Sequence, residues 1–329
     1  MKRIASGSRP SVTVVLPMRN ASSTVIQALE SIRIQEYPVA EIIFVDNVSS
    51  DNSVQLVREY AKKHLKMSIK VLINRENLLV ARSFNRGIKE AKTPYVALMH
   101  SDCAYSSPKE LEKLISPMID DPSIIATFGY NQTSLSIWNK FSFWEKTLFS
   151  KTAGKSEPGL VGKVDCFRRR DLLAIGAYDP IGYGEFGGED ADLHLRLKKI
   201  GRVQLTSAHT IHLHYLYHDF SLLDLFNKKR ATARTYGRLL RVQGFGNGLF
   251  GILSHLSKPF LAIGSLIPGL QLIVVPPLLI FPFWYYSRMF VTASTLKNPR
   301  IFLLPIVGIA LVYYEAFWTF EGFSQPIKK

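Results

Sequence analysis

Between Ser11 and Met99 the chain alternates short β-branched runs with amphipathic helical stretches, and few folds accommodate that alternation. Ser11–Pro17, carrying Val12, Val14 and Val15, reads as a buried strand. Glu41–Val45, Ile69–Ile73 and Tyr95–Met99 read the same way. Ser22–Ile34 spaces Val25, Ile26, Leu29 and Ile32 at helical intervals, with Ser22 or Ser23 as the cap. Ser53–Lys63 and Val80–Ala91 are further amphipathic helices. Strands alternating with helices form βαβ units, so the expected class is α/β with a mixed, mostly parallel sheet flanked by helices. Ligands of such sheets bind beyond the carboxyl ends of the strands. That singles out Arg19, Asn20, Asp46, Ser101 and Asp102.

Asp120 to Leu213 is less regular and holds a Gly-rich loop, Gly182–Gly188, followed by Glu189, Asp190 and Asp192. Ser221–Arg241 is helical, with Leu222, Phe226, Ala233, Tyr236 and Leu240 on one face and Arg230, Arg234, Arg238 and Arg241 on another. It reads as an interfacial helix drawn to anionic lipid. Beyond Lys258 the composition turns apolar. Phe260–Tyr286 has no charged residue but is broken by Pro268, Pro276, Pro277 and Pro282. Ile301–Phe320 carries only Glu315 and, at roughly 30 Å as a helix, is long enough to cross a bilayer core. Trp284, Tyr285, Tyr286 and Trp318 sit where an aromatic belt would put them. The expected divisions are a catalytic domain over residues 1–218, an amphipathic interfacial helix over 219–245 and a membrane-embedded helical region over 246–329.

The net charge of +15 across 329 residues speaks to partners and not to fold. Anionic lipid and phosphorylated substrates suit it. Zinc-finger spacing, an RNA-binding signature and a charged tail are all missing, so nucleic acid is not an expected partner. The two cysteines, Cys103 and Cys166, make neither a disulfide framework nor a metal motif, which points to a reducing compartment. Met1–Pro10 is basic without an apolar core, unlike a secretory signal, so the catalytic domain is expected on the cytoplasmic side.

Several motifs then appear in a fixed order: Val12–Asn20 and Phe44-Val45-Asp46-Asn47-Val48-Ser49-Ser50-Asp51 open the chain, and Asn77, Asn85 and Gly87 follow. Phe167-Arg168-Arg169, Gly176-Ala177-Tyr178-Asp179 and Gly188-Glu189-Asp190-Ala191-Asp192-Leu193 with Arg196 and Gly201 come later. In this order they resemble the inverting family-2 glycosyltransferases of the GT-A fold, over about Ser11 to His214. The resemblance implies transfer of a sugar from a nucleotide-sugar donor, with Mg2+ or Mn2+ as cofactor; the acceptor, lipid-linked or glycan, is read from the membrane segments and not from a motif. Pro17, Arg19, Asn20, Asp46, Asn85, His100 and Ser101 would then bind donor.

The chemistry asked of these residues is specific. Asp46 can accept a hydrogen bond from a base N–H, although Asp46 and Asp51 also suit a turn. Asp102 is the expected metal carboxylate, since hard divalent ions prefer oxygen and neutralise a departing diphosphate. Similar enzymes carry Asp-x-Asp, whereas His100-Ser101-Asp102-Cys103 keeps only the second aspartate. His100 could ligate Mn2+ or hydrogen-bond the ribose. Asp190 is the expected general base for the attacking hydroxyl, with Glu189 orienting hydroxyls. Acids at a helix start also suit the positive dipole end, which is the plainer account of Asp192. Among His209, His212, His214 and His218, the expected further metal ligands are His212 and His214.

The membrane segments make a polyprenyl-linked glycan the expected acceptor, with membrane lipid as a partner. A polyprenyl-phosphate sugar synthase and a non-catalytic membrane scaffold are the alternatives.

Overall fold

The computed structural model describes residues 9–180, 188–214, 220–243 and 248–325. In chain order the first elements are β1 (Val12–Met18), α1 (Val25–Arg33), β2 (Val39–Asp46), α2 (Ser53–Lys63), β3 (Ile69–Ile73), α3 (Leu79–Glu90), β4 (Tyr95–Leu98), β5 (Cys103–Tyr105) and α4 (Glu110–Asp120). Next come β6 (Ile124–Gln132), α5 (Leu135–Trp138), α6 (Phe143–Leu148), β7 (Ser156–Pro158), β8 (Asp165–Arg168), α7 (Arg169–Ala174), α8 (Glu189–Lys198) and β9 (Arg202–His212). The chain ends with α9 (Leu222–Gln243), α10 (Gly248–Gly264), α11 (Gln271–Tyr285), α12 (Ser287–Val291), α13 (Ala293–Leu296), a 3-10 turn (Pro299–Leu303) and α14 (Leu304–Ser324). The described residues of Met1–Ser134, Gly154–Pro180 and Glu189–Tyr215 form one compact unit; those of Leu135–Ala153, Ile181–Gly188 and Leu216–Lys329 form another.

The first unit is built on a sheet ordered β3-β2-β1-β4-β8-β6-β9-β5, with β7 paired to β6. Strands β1 to β4 are mutually parallel, as are β6 and β9, while β8, β7 and β5 run against their neighbours. This is the expected mixed, mostly parallel sheet. Its two faces follow the period of two along each strand. Val12, Val14, Leu16, Ile42 and Phe44 pack with residues of α1, α2 and α4, whereas Val15, Ile43 and Val45 pack with residues of α3, α7 and α8. α2 and β3 begin and end where the sequence reading puts them. The α1 cap differs: Thr24 holds the N-cap position without a side-chain cap bond. The Ser22 N–H instead donates to Asp51, which binds that segment to the loop after β2.

The second unit is helical. Trp138, Phe141, Phe143 and Trp144 share a core with Leu225, Tyr286, Met289, Ile301, Leu304 and Leu311. The stretch Leu135–Ala153 therefore groups with the C-terminal helices and not with the sheet that precedes it. The Phe260–Tyr286 stretch is split into α10 and α11, with Pro268 and Gly269, at φ 87°, in the break.

α9 packs along α14. Its arginines turn onto α14: Arg234 makes a two-pronged bond to Glu321 at 2.6 and 2.9 Å. Arg241 Nη1 donates to the carbonyls of Phe323, Ser324 and Gln325 at 3.0, 2.8 and 2.7 Å. The last carbonyls of a helix lack partners and carry negative partial charge, so a guanidinium is a favourable cap. The helices touch at glycines; a Cβ on Gly237 would meet the Thr319 carbonyl oxygen at 1.9 Å, and one on Gly322 the Arg234 carbonyl oxygen at 2.2 Å.

Large apolar side chains face outward from this unit, among them Leu272 (85% exposed), Phe302 (81%) and Phe320 (72%). Among the described residues one helix, Pro299–Ser324, is long and apolar enough to cross a membrane. The 15 residues of α11 span about 22 Å, short of a bilayer core of about 30 Å.

Candidate active site

The carboxyl ends of β1, β2 and β4 lie side by side, because Met18 pairs with Asp46 and Val15 with Leu98. The loops that follow are bonded together there. Asp46, buried at the end of β2, accepts from the Ser49 hydroxyl at 2.5 Å and the Ser49 N–H at 3.2 Å. Asn20, in the left-handed region at φ 51°, accepts from the Ser50 N–H at 2.8 Å. Asp51 accepts from the N–H groups of Ser22 and Ser53 at 3.0 Å each. The Thr24 hydroxyl reaches the Ser101 carbonyl at 3.0 Å, joining the loop after β4 to the others. Asp46 thus closes a turn at the carboxyl end of β2. Pro17 pairs with Val45 inside the sheet, and Arg19 is exposed at the rim.

Asn85 is committed elsewhere: its amide nitrogen donates to the Tyr178 carbonyl at 2.8 Å and its oxygen accepts from the Tyr178 N–H at 3.0 Å.

Beyond β4 the chain turns into β5, which pairs antiparallel with β9 so that Cys103 faces His212. This brings the His212 Nε2 to 3.0 Å from Asp102 Oδ2, while the Leu213 N–H donates to the Asp102 carbonyl at 2.7 Å. Burial alone would raise the Asp102 carboxyl, but the His212 bond and the nearby positive charge hold it well below the ordinary carboxylate range. Burial lowers His212 against the pull of Asp102, so the pair is carboxylate and neutral imidazole. His214, at φ 53°, lies against His212 with ring centroids 3.6 Å apart and the planes tilted by 37°, and its Nε2 lies 3.2 Å from the Thr133 hydroxyl. Burial and His212 push it down to about 3. His209 leaves this group: it stacks on Tyr130 at 4.9 Å, and its Nδ1 lies 2.9 Å from the Ser207 carbonyl. His218 and most of Gly182–Gly188 lie outside the described residues.

Ligand atoms of Asp102, Cys103 and His212 all lie within 4.8 Å of one another. Burial pushes the Cys103 thiol well up, so it stays protonated and is a poor ligand for a hard ion. The donor set that fits a divalent cation is therefore the Asp102 oxygen with the His212 nitrogen, which suits Mn2+ better than Mg2+. His100, lowered to about 4 by burial, is a neutral group beside the Phe84 ring and adds no negative charge.

Asp190 stands in the first turn of α8. Burial and then the charge of Glu189 raise its carboxyl to about 7, against the opposing pull of the Tyr178 hydroxyl and Lys163. Burial raises Glu189 too. Asp192 is taken up by Arg196 at 2.7 Å, a helical i,i+4 pair, as the plainer reading of that residue expects.

Two residues here carry no sequence signal. Asp165 is wholly buried at the start of β8 and accepts the Gly162 N–H at 2.5 Å. Gly162 has φ 69°, and a Cβ there would lie 2.8 Å from the Phe84 ring and 3.2 Å from His100 Nε2, so only glycine fits. The next residue, Lys163, puts its charge in reach of His100, Asp102, His212, Asp165 and Asp190 alike. Asp102 and Asp190 are thus both subject to the Lys163 charge, and Asp46 ends β2 beside Met18 of β1.

Residues 13–174 match the family described as glycosyl transferase family 2. A putative glycosyltransferase, EpsE, of Bacillus subtilis (strain 168) is 32% identical over 109 residues, 33% of this chain and 38% of that protein. A poly-beta-1,6-N-acetyl-D-glucosamine synthase of Staphylococcus epidermidis is 34% identical over 91 residues, 28% of this chain and 21% of the synthase. The chain thus spans well under half the length of both relatives. Among solved structures, a mannosyltransferase from Pyrobaculum calidifontis in complex with GDP-Man and Mn2+ superposes with a TM-score of 0.54. It covers 96% of this chain and 85% of its own, at 16% identity, a likeness of fold.

Proposed function

We propose that this chain, which carries a glycosyl transferase family 2 domain across residues 13–174, moves a sugar from a nucleotide-diphosphate donor to a hydroxyl of a membrane-presented acceptor, a polyprenyl-linked glycan, with inversion. The observation that carries the reading is Asp190: a buried carboxyl raised to about 7, sharing the Lys163 charge with Asp102. A general base works best when its proton affinity lies near the working pH. As the acceptor oxygen bonds to the anomeric carbon, its proton passes to Asp190. The bond from that carbon to the diphosphate breaks on the opposite face, and the electron pair leaves with the nucleoside diphosphate. Glu189 orients hydroxyls, Asp46 takes a base N–H, and Lys163 offers charge to the diphosphate. Asp102 and His212 would hold a divalent ion, which when bound neutralises phosphate charge.

A base favours a hydroxyl acceptor over a phosphate, since a phosphate nucleophile arrives already ionised. The exposed apolar face of the second unit and the Pro299–Ser324 helix support presentation at a membrane. The two buried free thiols, one beside Asp102, accord with a cytoplasmic catalytic domain. The test is transfer from a panel of labelled nucleotide-sugars in isolated membranes, with the product anomer read by NMR. Retention of configuration, or full activity in Asp190→Asn, sinks the reading.

A further inference from the structure

Within the second unit three lysines converge on one tyrosine. Lys151, three residues past α6, Lys229 of α9 and Lys258 of α10 stand 3.8, 5.2 and 4.8 Å from the centre of the Tyr285 ring. Lys151 also lies 4.9 Å from the Trp284 ring. Among the described residues the carboxylate paired with these lysines is Glu315 of α14, with one oxygen 3.8 Å from Lys229 and the other bonded to Lys258. The side chains of Lys229 and Glu315 are only 8% and 9% exposed, and that of Lys258 18%.

One carboxylate therefore serves two buried ammonium groups. A single lysine would have neutralised Glu315, so the second is surplus. Placing an unbalanced charge among apolar helices is costly, and an aromatic face only partly offsets that cost. A further anion would balance it. Beside the cluster, Ile280, Phe283 and Trp284 of the same helix are exposed apolar groups, a surface for a hydrocarbon chain.

We propose that Lys151, Lys229 and Lys258 form an anion site for a phosphate or diphosphate ester. The ester is either the head group of a lipid-linked acceptor or a free phosphate compound. The lipid alternative rests on the function proposed above; the anion site itself does not. Lys229 and Lys258 supply the buried charge, Lys151 supplies charge from the exposed side, and Glu315 sets how much of it remains for the ligand.

The test is binding to the full chain in phosphatidylcholine nanodiscs, by calorimetry and Trp fluorescence, with inorganic pyrophosphate and farnesyl diphosphate as probes. Lys258→Met is expected to weaken binding by about tenfold or more, the loss of one charge-assisted contact. Glu315→Gln, which removes the opposing charge, is expected to tighten it, and this gain guards against a variant that merely fails to fold. Binding of farnesyl diphosphate alone assigns the lipid head group; equal binding of pyrophosphate assigns a free phosphate compound. Failure of both probes to bind, or binding unchanged in both variants, overturns the site. Neither readout needs sugar transfer, so an inactive chain that binds sinks the transferase reading alone, and an active chain with unchanged binding sinks the anion site alone.

Discussion

His212 Nε2 lies 3.0 Å from Asp102 Oδ2, although 110 positions separate the two residues in the chain. The contact exists because β9 returns alongside β5 with His212 opposite Cys103. It joins one carboxylate held ionised to one imidazole held neutral, and sets the charge of the centre. The expectations that follow are each measurable.

Asp190→Asn keeps the shape of the side chain and removes the base. Transfer is expected to fall by about 100- to 10,000-fold in kcat, with donor KM nearly unchanged. Steady-state kinetics with a labelled nucleotide-sugar would decide it; an equal rise in KM would mean that Asp190 binds donor instead.

Activity should depend on pH through the same residue. Its carboxyl is raised to about 7, so the ionised base prevails only above that value. Below it, kcat/KM is expected to fall about tenfold per pH unit, and above it to level off. Glu189→Gln removes a charge that raises Asp190, and the fall should then begin at lower pH. A profile that stays put would separate Glu189 from the base.

Metal dependence should follow the Asp102–His212 pair. His212→Ala is expected to weaken Mn2+ affinity by at least about tenfold and to narrow the preference for Mn2+ over Mg2+, since the nitrogen ligand is lost. Titrating each ion into the purified, chelator-treated protein while following donor binding measures both effects.

Lys163→Met should raise donor KM by about 10- to 100-fold, the scale of a lost charged contact. Lys163→Arg should recover part of that loss. A variant with unaltered donor affinity would show that Lys163 serves only the buried acids around it.

Gly237→Ala tests the helical unit. Its Cβ would collide with the Thr319 backbone, which cannot swing aside as a side chain can. A loss of about 1–3 kcal/mol of stability is expected, read as earlier thermal unfolding in detergent.

Much of the sheet was legible from local pattern. Val12, Val14 and Val15, or Ile42 to Val45, declare strands by residue type, and the acids just after or before an element announce themselves by position. Asp46, Asp102 and Asp190 belong to this kind. Lys163 and Asp165 do not, because their place depends on β8 entering the sheet antiparallel between β4 and β6. Nothing within a few residues of them encodes that pairing. The arginines of α9 show a similar limit: a basic helix face looks the same in sequence whether it meets lipid head groups or the carbonyl end of α14.

The sequence alone determined the alternation of strands and helices, the carboxylates at the strand ends and the apolar C-terminal region, since hydrophobic period and residue type act between near neighbours. Only the tertiary structure decided that His212, and not His209, meets Asp102, and that the Lys163 charge acts on both Asp102 and Asp190. Charges interact by distance in space, and that distance is set by strand register between segments far apart in the chain.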